Sequence, residues 1–224
     1  MGIEGALHRS AASDRHHLRV TVDGSNDLVL VAAARTGDVA AFNRLVIRYQ
    51  DAVFTLCYRL TGNAEDAADA AQDAFLSAYR HLAKFRGGAF RSWLLRIAAN
   101  GCYDLHRERR RWPADRLDAG GGSNPAGDAP AARVPDPAAG PEAAALRHEL
   151  GDLLQQGLLG LPEDQRLAVV LCDLYEFDYQ SIAGITGAEL GTVKSRINRG
   201  RRRLRDFLLG YRELLPLAYR HTSA

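Results

Sequence analysis

One stretch divides this chain before any helix is assigned. Between Pro113 and Pro141 lie six of the eight prolines (Pro113, Pro125, Pro130, Pro135, Pro137 and Pro141), interleaved with Gly120, Gly121, Gly122, Gly127 and Gly140. Only Leu117 and Val134 are large and apolar there. Such a segment cannot bury enough surface to offset the entropy of ordering it, so it reads as a linker. It separates residues 27–112 from residues 142–219, two stretches each long enough for one small domain. Residues 1–26 show no hydrophobic periodicity and read as a mobile tail.

Both halves read as helical, and the fold class expected is all-α. Asp38 is placed to cap a helix carrying Phe42, Leu45, Val46, Tyr49, Val53, Leu56, Cys57 and Leu60 at helical spacing. Thr61-Gly62 ends it. Asn63 caps the next helix, with Asp66 near its free N–H groups. That helix runs to about Lys84 with Ala67, Ala71, Phe75, Ala78 and Leu82 inward. The glycines of Phe85–Ala89 mark a loop. A further helix covers about Arg91 to Arg111, with Leu94, Ile97, Ala98, Gly101 and Leu105 inward. Beyond the linker, a leucine stripe from Leu146 to Leu158 ends at Gly160, and Pro162 opens another helix. No stretch alternates with period two for long.

The last 50 residues carry a sharper pattern. Asp178 caps a short helix, Thr186-Gly187 turns, and a long helix runs from about Leu190 to Leu208. This is a helix-turn-helix arrangement. Val193, Ile197, Leu204 and Leu208 make its inward stripe. From Thr192 to Arg205 there are seven basic residues and no acid. Thr192, Ser195, Arg196, Arg199 and Arg203 share one face, where they can reach base edges in a major groove. Lys194, Arg201, Arg202 and Arg205 lie off that line and suit phosphates. A second basic zone, Arg80 to Arg111, sets nine basic residues against Asp104 and Glu108. From Asn63 to Ala74 the bias reverses, with Glu65, Asp66, Asp69 and Asp73 and no lysine or arginine. Two polyanion contacts and one separate protein contact are the reading, beside the plainer one of three solvated helix faces.

Several classes are set aside. The longest strongly apolar run, Leu28–Ala34, is seven residues, against roughly 20 for a membrane span. The N-terminus has no apolar core for a secretory signal. Cys57, Cys102 and Cys172 are too scattered for a disulfide framework or a zinc knuckle. There is no Walker lysine loop, no H-E-x-x-H, no deaminase C-x-x-C and no G-x-S-x-G. The seven histidines lack ligand spacing apart from His16-His17 in the tail. A reduced, cytoplasmic protein without enzymatic activity, cofactor or metal is expected.

The stretch Leu161–Leu208, with GTVKSR after its helix-turn pattern, resembles domain 4 of bacterial RNA polymerase sigma factors. AEDAADAAQDAFLSAYRHLAKFRG (Ala64–Gly87) and FRSWLLRIAANGCYDLHRERRR (Phe90–Arg111) resemble domain 2 of the extracytoplasmic-function (ECF, group 4) type. The two matches stand in family order and cover about two-thirds of the chain, with nothing like the middle domain of larger sigma factors between them.

The resemblance implies roles. Asp69, Gln72, Asp73 and Phe75 match the family's D-x-x-Q-E-x-F on the helix that docks on the β′ coiled coil. Asp73 stands where the family has Glu. Leu76 shares that face. Lys84, Phe85, Arg86, Gly87 and Phe90 match the loop that holds the unwound −10 strand, and Trp93, Arg96, Asn100, Tyr103 and Arg107 the helix behind it. Phe85, Phe90, Trp93 and Tyr103 offer stacking, Arg96 and Asn100 hydrogen bonds, and Gly87 close approach. As a lone residue Trp93 also reads as core. Arg109 and Arg110, beside Arg107, are expected on phosphates. Thr192, Lys194, Ser195, Arg196, Arg199, Arg202 and Arg203 are expected at the −35 duplex. The implied partners are core RNA polymerase (β′ and β), promoter DNA and, in many relatives, an anti-sigma protein. The family departures are Ala188 in the turn and Gly200 within the recognition helix, where glycine costs up to ~1 kcal/mol relative to alanine. The alternative is a stand-alone helix-turn-helix regulator of duplex DNA.

Overall fold

The computed structural model of the chain describes residues 24–111 and 141–211. Those residues form helices and turns, with no strand among them. The first half comprises α1 (Gly24–Arg35), α2 (Val39–Thr61), α3 (Ala64–Arg80), a 3₁₀ turn (Leu82–Lys84) and α4 (Phe90–Arg111). The second comprises α5 (Pro141–Leu159), α6 (Glu163–Val169) running into a π turn (Val170–Leu174), α7 (Tyr179–Thr186) and α8 (Leu190–Leu209).

The helix ends follow local chemistry. The Ala41 N–H donates to the Asp38 carboxylate at 3.0 Å, and Gly62 closes α2 in the left-handed region at φ 76°. Asn63 Oδ1 accepts from the N–H groups of Glu65 and Asp66, at 2.8 and 3.1 Å. Asp178 accepts from the Ser181 N–H at 2.7 Å. That bond holds the Asp178 carboxyl below the usual carboxylate range. Gly187 supplies the left-handed residue of the helix-turn-helix at φ 63°.

Three boundaries differ from the sequence reading. α1 begins at Gly24, inside the stretch read as tail, because Asp27 is a buried anchor. Arg48 Nη1 donates to it at 2.5 Å, and the Tyr49 hydroxyl donates to its other oxygen. Burial and that bond push the Tyr49 phenol up. α3 stops at Arg80, and its predicted extension is the separate 3₁₀ turn. α5 begins at Pro141, the last residue of the expected linker.

The core of the first half is α2 packed on α3 and α4, around Leu45, Val53, Leu56, Leu60, Ala67, Ala78, Leu94 and Ala98. On α4, Leu95, Ala99 and Cys102 are buried as well, while Gly101 is exposed. The inward side is therefore wider than the predicted stripe. Cys57 and Cys102 are free, buried thiols in contact. Their mutual hydrogen bond, with burial, drives the Cys57 thiol up and leaves it a packing group. In the second half α6 and α8 are the central pair. Gly200 is buried against α6, and a Cβ there would lie 2.6 Å from Val169 Cγ2 and 3.3 Å from the Gln165 carbonyl oxygen. Gly200 therefore allows the close approach that seats the recognition helix.

The two halves do not stand apart. Leu158, Leu161, Leu167 and Leu171 join the same apolar cluster as Leu56 and Leu60.

Gly200→Ala gains up to ~1 kcal/mol of helix propensity but overfills a site beside a stiff, β-branched neighbour, which costs roughly 1–3 kcal/mol. Net destabilisation is expected in urea unfolding, and Val169→Ala in the same chain should recover part of it. Asp178→Ala should cost about 0.5–2 kcal/mol as a lost cap. The Asp178 carboxyl is lower in the folded state than in the unfolded one, so its contribution is present above about pH 4 and is lost as pH falls below that. Asp178→Asn should keep the cap and flatten this acid limb of the stability profile.

Candidate nucleic-acid interface

The acidic face of α3 is open. Asp69, Gln72, Asp73 and Leu76 are exposed, and Phe75 is half-buried. Behind them α2 and α3 leave an apolar groove of about 550 Å³, lined by Val46 and Phe54 from α2 and by Gln72, Phe75, Leu76 and Tyr79 from α3. Sequence periodicity missed this groove, because it treats Phe75 as inward and has no means of knowing that α2 and α3 diverge there. Leu76, 44% exposed, is a sign of it, since a leucine among acids on a solvated face is out of place.

The loop before α4 turns on Gly87 and Gly88, at φ 98° and 88°. Lys84 and Arg86 are exposed beside it. Phe85 and Phe90 require a correction. They are only 4% and 1% exposed, so their faces are closed to a base. They pack edge-on at 5.7 Å, and each lies within 5.6 Å of the half-buried Trp93 ring. Their role here is to brace Trp93. The periodicity of α4 could not reveal this, because Phe85 lies before the helix and Phe90 is its first residue.

Along α4, Arg96, Asn100 and Arg107 are exposed and Tyr103 is half-buried, all on one face. Arg107 sits 3.8 Å from Asp104. Arg96 is already engaged: its Nη2 donates to the Ser181 hydroxyl of α7 at 2.8 Å. Arg109 and Arg110 lie in α4, but their side chains fall outside the described residues.

On α8, Thr192, Lys194, Arg199, Arg202 and Arg203 are exposed, while Ser195 and Arg196 are partly covered. Neighbouring acceptors hold several of the arginines. Arg196 Nη2 meets Asp164 at 3.0 Å, and Arg203 Nη1 donates to Gln165 Oε1 at 3.2 Å. Arg199 folds back onto Ser195, donating to its hydroxyl at 2.6 Å. Arg201, read from sequence as a phosphate contact, grips Asp173 with two bonds of 3.0 and 2.5 Å. That pairing pushes its guanidinium pKa further up. Arg205 lies 3.3 Å from Asp206.

The comparisons agree with this geometry. The Sigma-70 region 2 family matches residues 45–112, and the Sigma-70, region 4 family matches residues 151–204. The ECF RNA polymerase sigma-E factor of Escherichia coli K12 is 39% identical over 177 residues, 78% of this chain and 90% of the relative. The chain belongs to the ECF RNA polymerase sigma factors. The ECF sigma factor SigE of Mycolicibacterium smegmatis is also 39% identical, over 176 residues, and the match spans 65% of that longer protein. Among solved structures, the sigma factor RpoE of Bartonella quintana in complex with the anti-sigma factor NepR aligns with a TM-score of 0.53 at 26% identity, covering 76% of this chain and 98% of that one. CnrH in complex with the cytosolic domain of CnrY aligns with a TM-score of 0.52 at 26% identity, covering 82% and 97%.

This ECF factor is thus a promoter-directing initiation factor of a non-enzymatic family. The stand-alone regulator finds no support, since both sigma regions are present in family order. Among the described residues no helix is long and apolar enough to cross a membrane.

Asn100→Ala should weaken opening of a promoter more than binding to its closed duplex. Permanganate footprinting beside gel shift on duplex separates the two, and equal loss in both would remove Asn100 from the −10 surface.

Proposed function

We propose that the chain binds core RNA polymerase through α3, reads the −35 element with α8 as duplex, and captures −10 bases on α4 once they leave the stack. It acts in the cytoplasm, where the polymerase is. The observation that supports this most is the division of charge over three separate surfaces: an acidic, groove-backed α3, a basic loop and α4, and a basic α8.

Each surface suits its task. Carboxylates beside an apolar groove fit a basic amphipathic partner helix, which buries apolar residues in the groove and pairs cations at its rim. The same groove suits competition by an anti-sigma protein, a class of partner that a structural relative carries. On α4, Trp93 is a braced aromatic edge, and Arg96 and Asn100 are donors one and two turns further along the same face. Capturing an unstacked base on an aromatic is worth ~1–3 kcal/mol. That offsets ~1.4 kcal/mol of stacking lost per base-pair step, so melting follows from preferential binding of the open strand. On α8, Asp164 and Gln165 hold Arg196 and Arg203 extended, which lowers the entropy lost on meeting DNA.

In-vitro transcription with core enzyme and a promoter library, followed by sequencing of start sites, tests the reading. Addition of the chain should concentrate initiation on promoters sharing two sequence elements about two helical turns apart, and unchanged start sites would refute it. Within the selected promoters, Arg199→Ala should cost about 1–3 kcal/mol at one −35 position if it reads a base, whereas a uniform loss on all sequences marks a phosphate contact.

A further inference from the structure

We propose that Asn198 reads one adenine of the −35 duplex, and that α8 turns the stripe of Ser195, Asn198 and Arg202 toward the bases. This rests on the promoter-binding reading above. It adds the residue that sets specificity at one base pair, and the base it selects.

What α8 buries fixes its rotation about its own axis. Val193, Ile197 and Gly200 face inward. Ser195, Asn198 and Arg202, at intervals of three and four residues, form the stripe on the opposite side. Cations flank that stripe on both edges. Lys194, Arg201 and Arg205 run along one, and Arg196, Arg199 and Arg203 along the other. A helix in the major groove has a phosphate strand on each side and base edges beneath it. The stripe between the two cationic edges is therefore the part that looks down on the bases. Arg196 and Arg203, read from sequence as facing bases, are drawn sideways toward α6 by Asp164 and Gln165, at 3.0 and 3.2 Å. That places them for phosphate.

Within the stripe Asn198 is set apart. The Ser195 hydroxyl accepts from Arg199 at 2.6 Å and donates to the Thr192 carbonyl at 3.2 Å. Asn198 is exposed and has no hydrogen-bond partner among the described residues. It is the only side-chain amide on α8. Asparagine is a poorer helix former than arginine or lysine, and as a neutral group it adds nothing to the attraction of phosphate. What it supplies is a donor and an acceptor on one planar group. The adenine edge in the major groove offers the matching pair. The amide Nδ2–H donates to N7, and Oδ1 accepts from the N6 amino group. Guanine presents two acceptors there, so Oδ1 would meet O6 with no proton between them. Asn198 also lies in the N-terminal half of α8, the half that such helices send into the groove.

The test uses holoenzyme assembled from core polymerase and the full chain, on a promoter library randomised through the −35 region. Wild type should require adenine at one position. Asn198→Ala should lower that preference about tenfold and leave the other positions unchanged. Asn198→Arg should convert the same position from adenine to guanine, a gain that misfolding cannot produce. On one selected promoter, 7-deazaadenine in place of that adenine removes the N7 acceptor. It should weaken wild-type binding several-fold and leave the binding of Asn198→Ala unchanged. A uniform loss over all positions in Asn198→Ala, or an unchanged selection, overturns the assignment. So does 7-deazaadenine acting equally on both proteins. A wild-type selection with no −35 preference at all strikes instead at the promoter-binding reading, whereas an adenine preference that ignores Asn198 strikes at this assignment alone.

Discussion

A guanidinium can leave water only where acceptors await it. Among the described residues no carboxylate forms a salt bridge with Arg166, though Glu163 lies near enough to favour its charge. Arg166 is satisfied by the last carbonyls of helices from both halves, while its Nε finds no hydrogen-bond partner. Burial lowers its pKa, though not enough to discharge an arginine. The helix ends must therefore converge, because a buried cation left without them would cost several kcal/mol. This constraint makes one body of two domains and sets which face of α4 the second half covers. Lysine would not substitute. Its one ammonium nitrogen would have to meet all the carbonyls that the planar fork of arginine reaches from two nitrogens.

The second half of the boundary is built differently. Arg91 lies 5.9 Å over the Tyr175 ring, and the Tyr175 hydroxyl reaches the Ala52 carbonyl at 3.4 Å. Burial holds that phenol protonated far above neutrality, so it serves as a donor at any physiological pH. The two clusters grip α2 and α4 at separate points. Domain 4 is thereby fixed in rotation as well as in distance, which a single contact would not achieve.

What was legible in the sequence was local. The caps at Asp38, Asn63 and Asp178 and the stop at Gly62 depend on a few adjacent residues, and the helices begin and end there. The all-α class followed from periodicity alone. Tertiary decisions were not legible. Phe85 and Phe90 have the chemistry of stacking residues, and only the convergence of α2, α3 and α4 turns them inward. Gly200 looked like a defect because the helix that presses on it, α6, is more than 30 positions away in sequence. Arg201 carried the same charge signature as its neighbours, and nothing in a basic run says which member will meet Asp173. Arg59 and Arg166 gave no signal at all, since nothing in an amphipathic helix marks which arginine will be covered. The acidic and basic zoning, by contrast, survives folding, because charge that is not paired locally must stay at the surface.

The tether decides how strong the contact between the two halves needs to be. Residues 112–140 join the halves, so each meets the other at an effective concentration on the order of 1 mM. At that concentration an interface with an intrinsic Kd of only ~10 μM is closed about 99% of the time, a bias of roughly 2.7 kcal/mol. A few carbonyl-directed hydrogen bonds and Leu159 packed on Gly62 are of the right size. A much larger apolar interface would lock the chain beyond the reach of polymerase, since a partner shifts the equilibrium only by its differential affinity for the open form. The polar, modest character of the boundary is therefore what a reversible contact between the halves requires. The basic surfaces obey the same logic. Ion pairs such as Arg201 with Asp173, at a half-exposed site, contribute about 0–1 kcal/mol. They are strong enough to keep arginines extended and weak enough to yield them to phosphate.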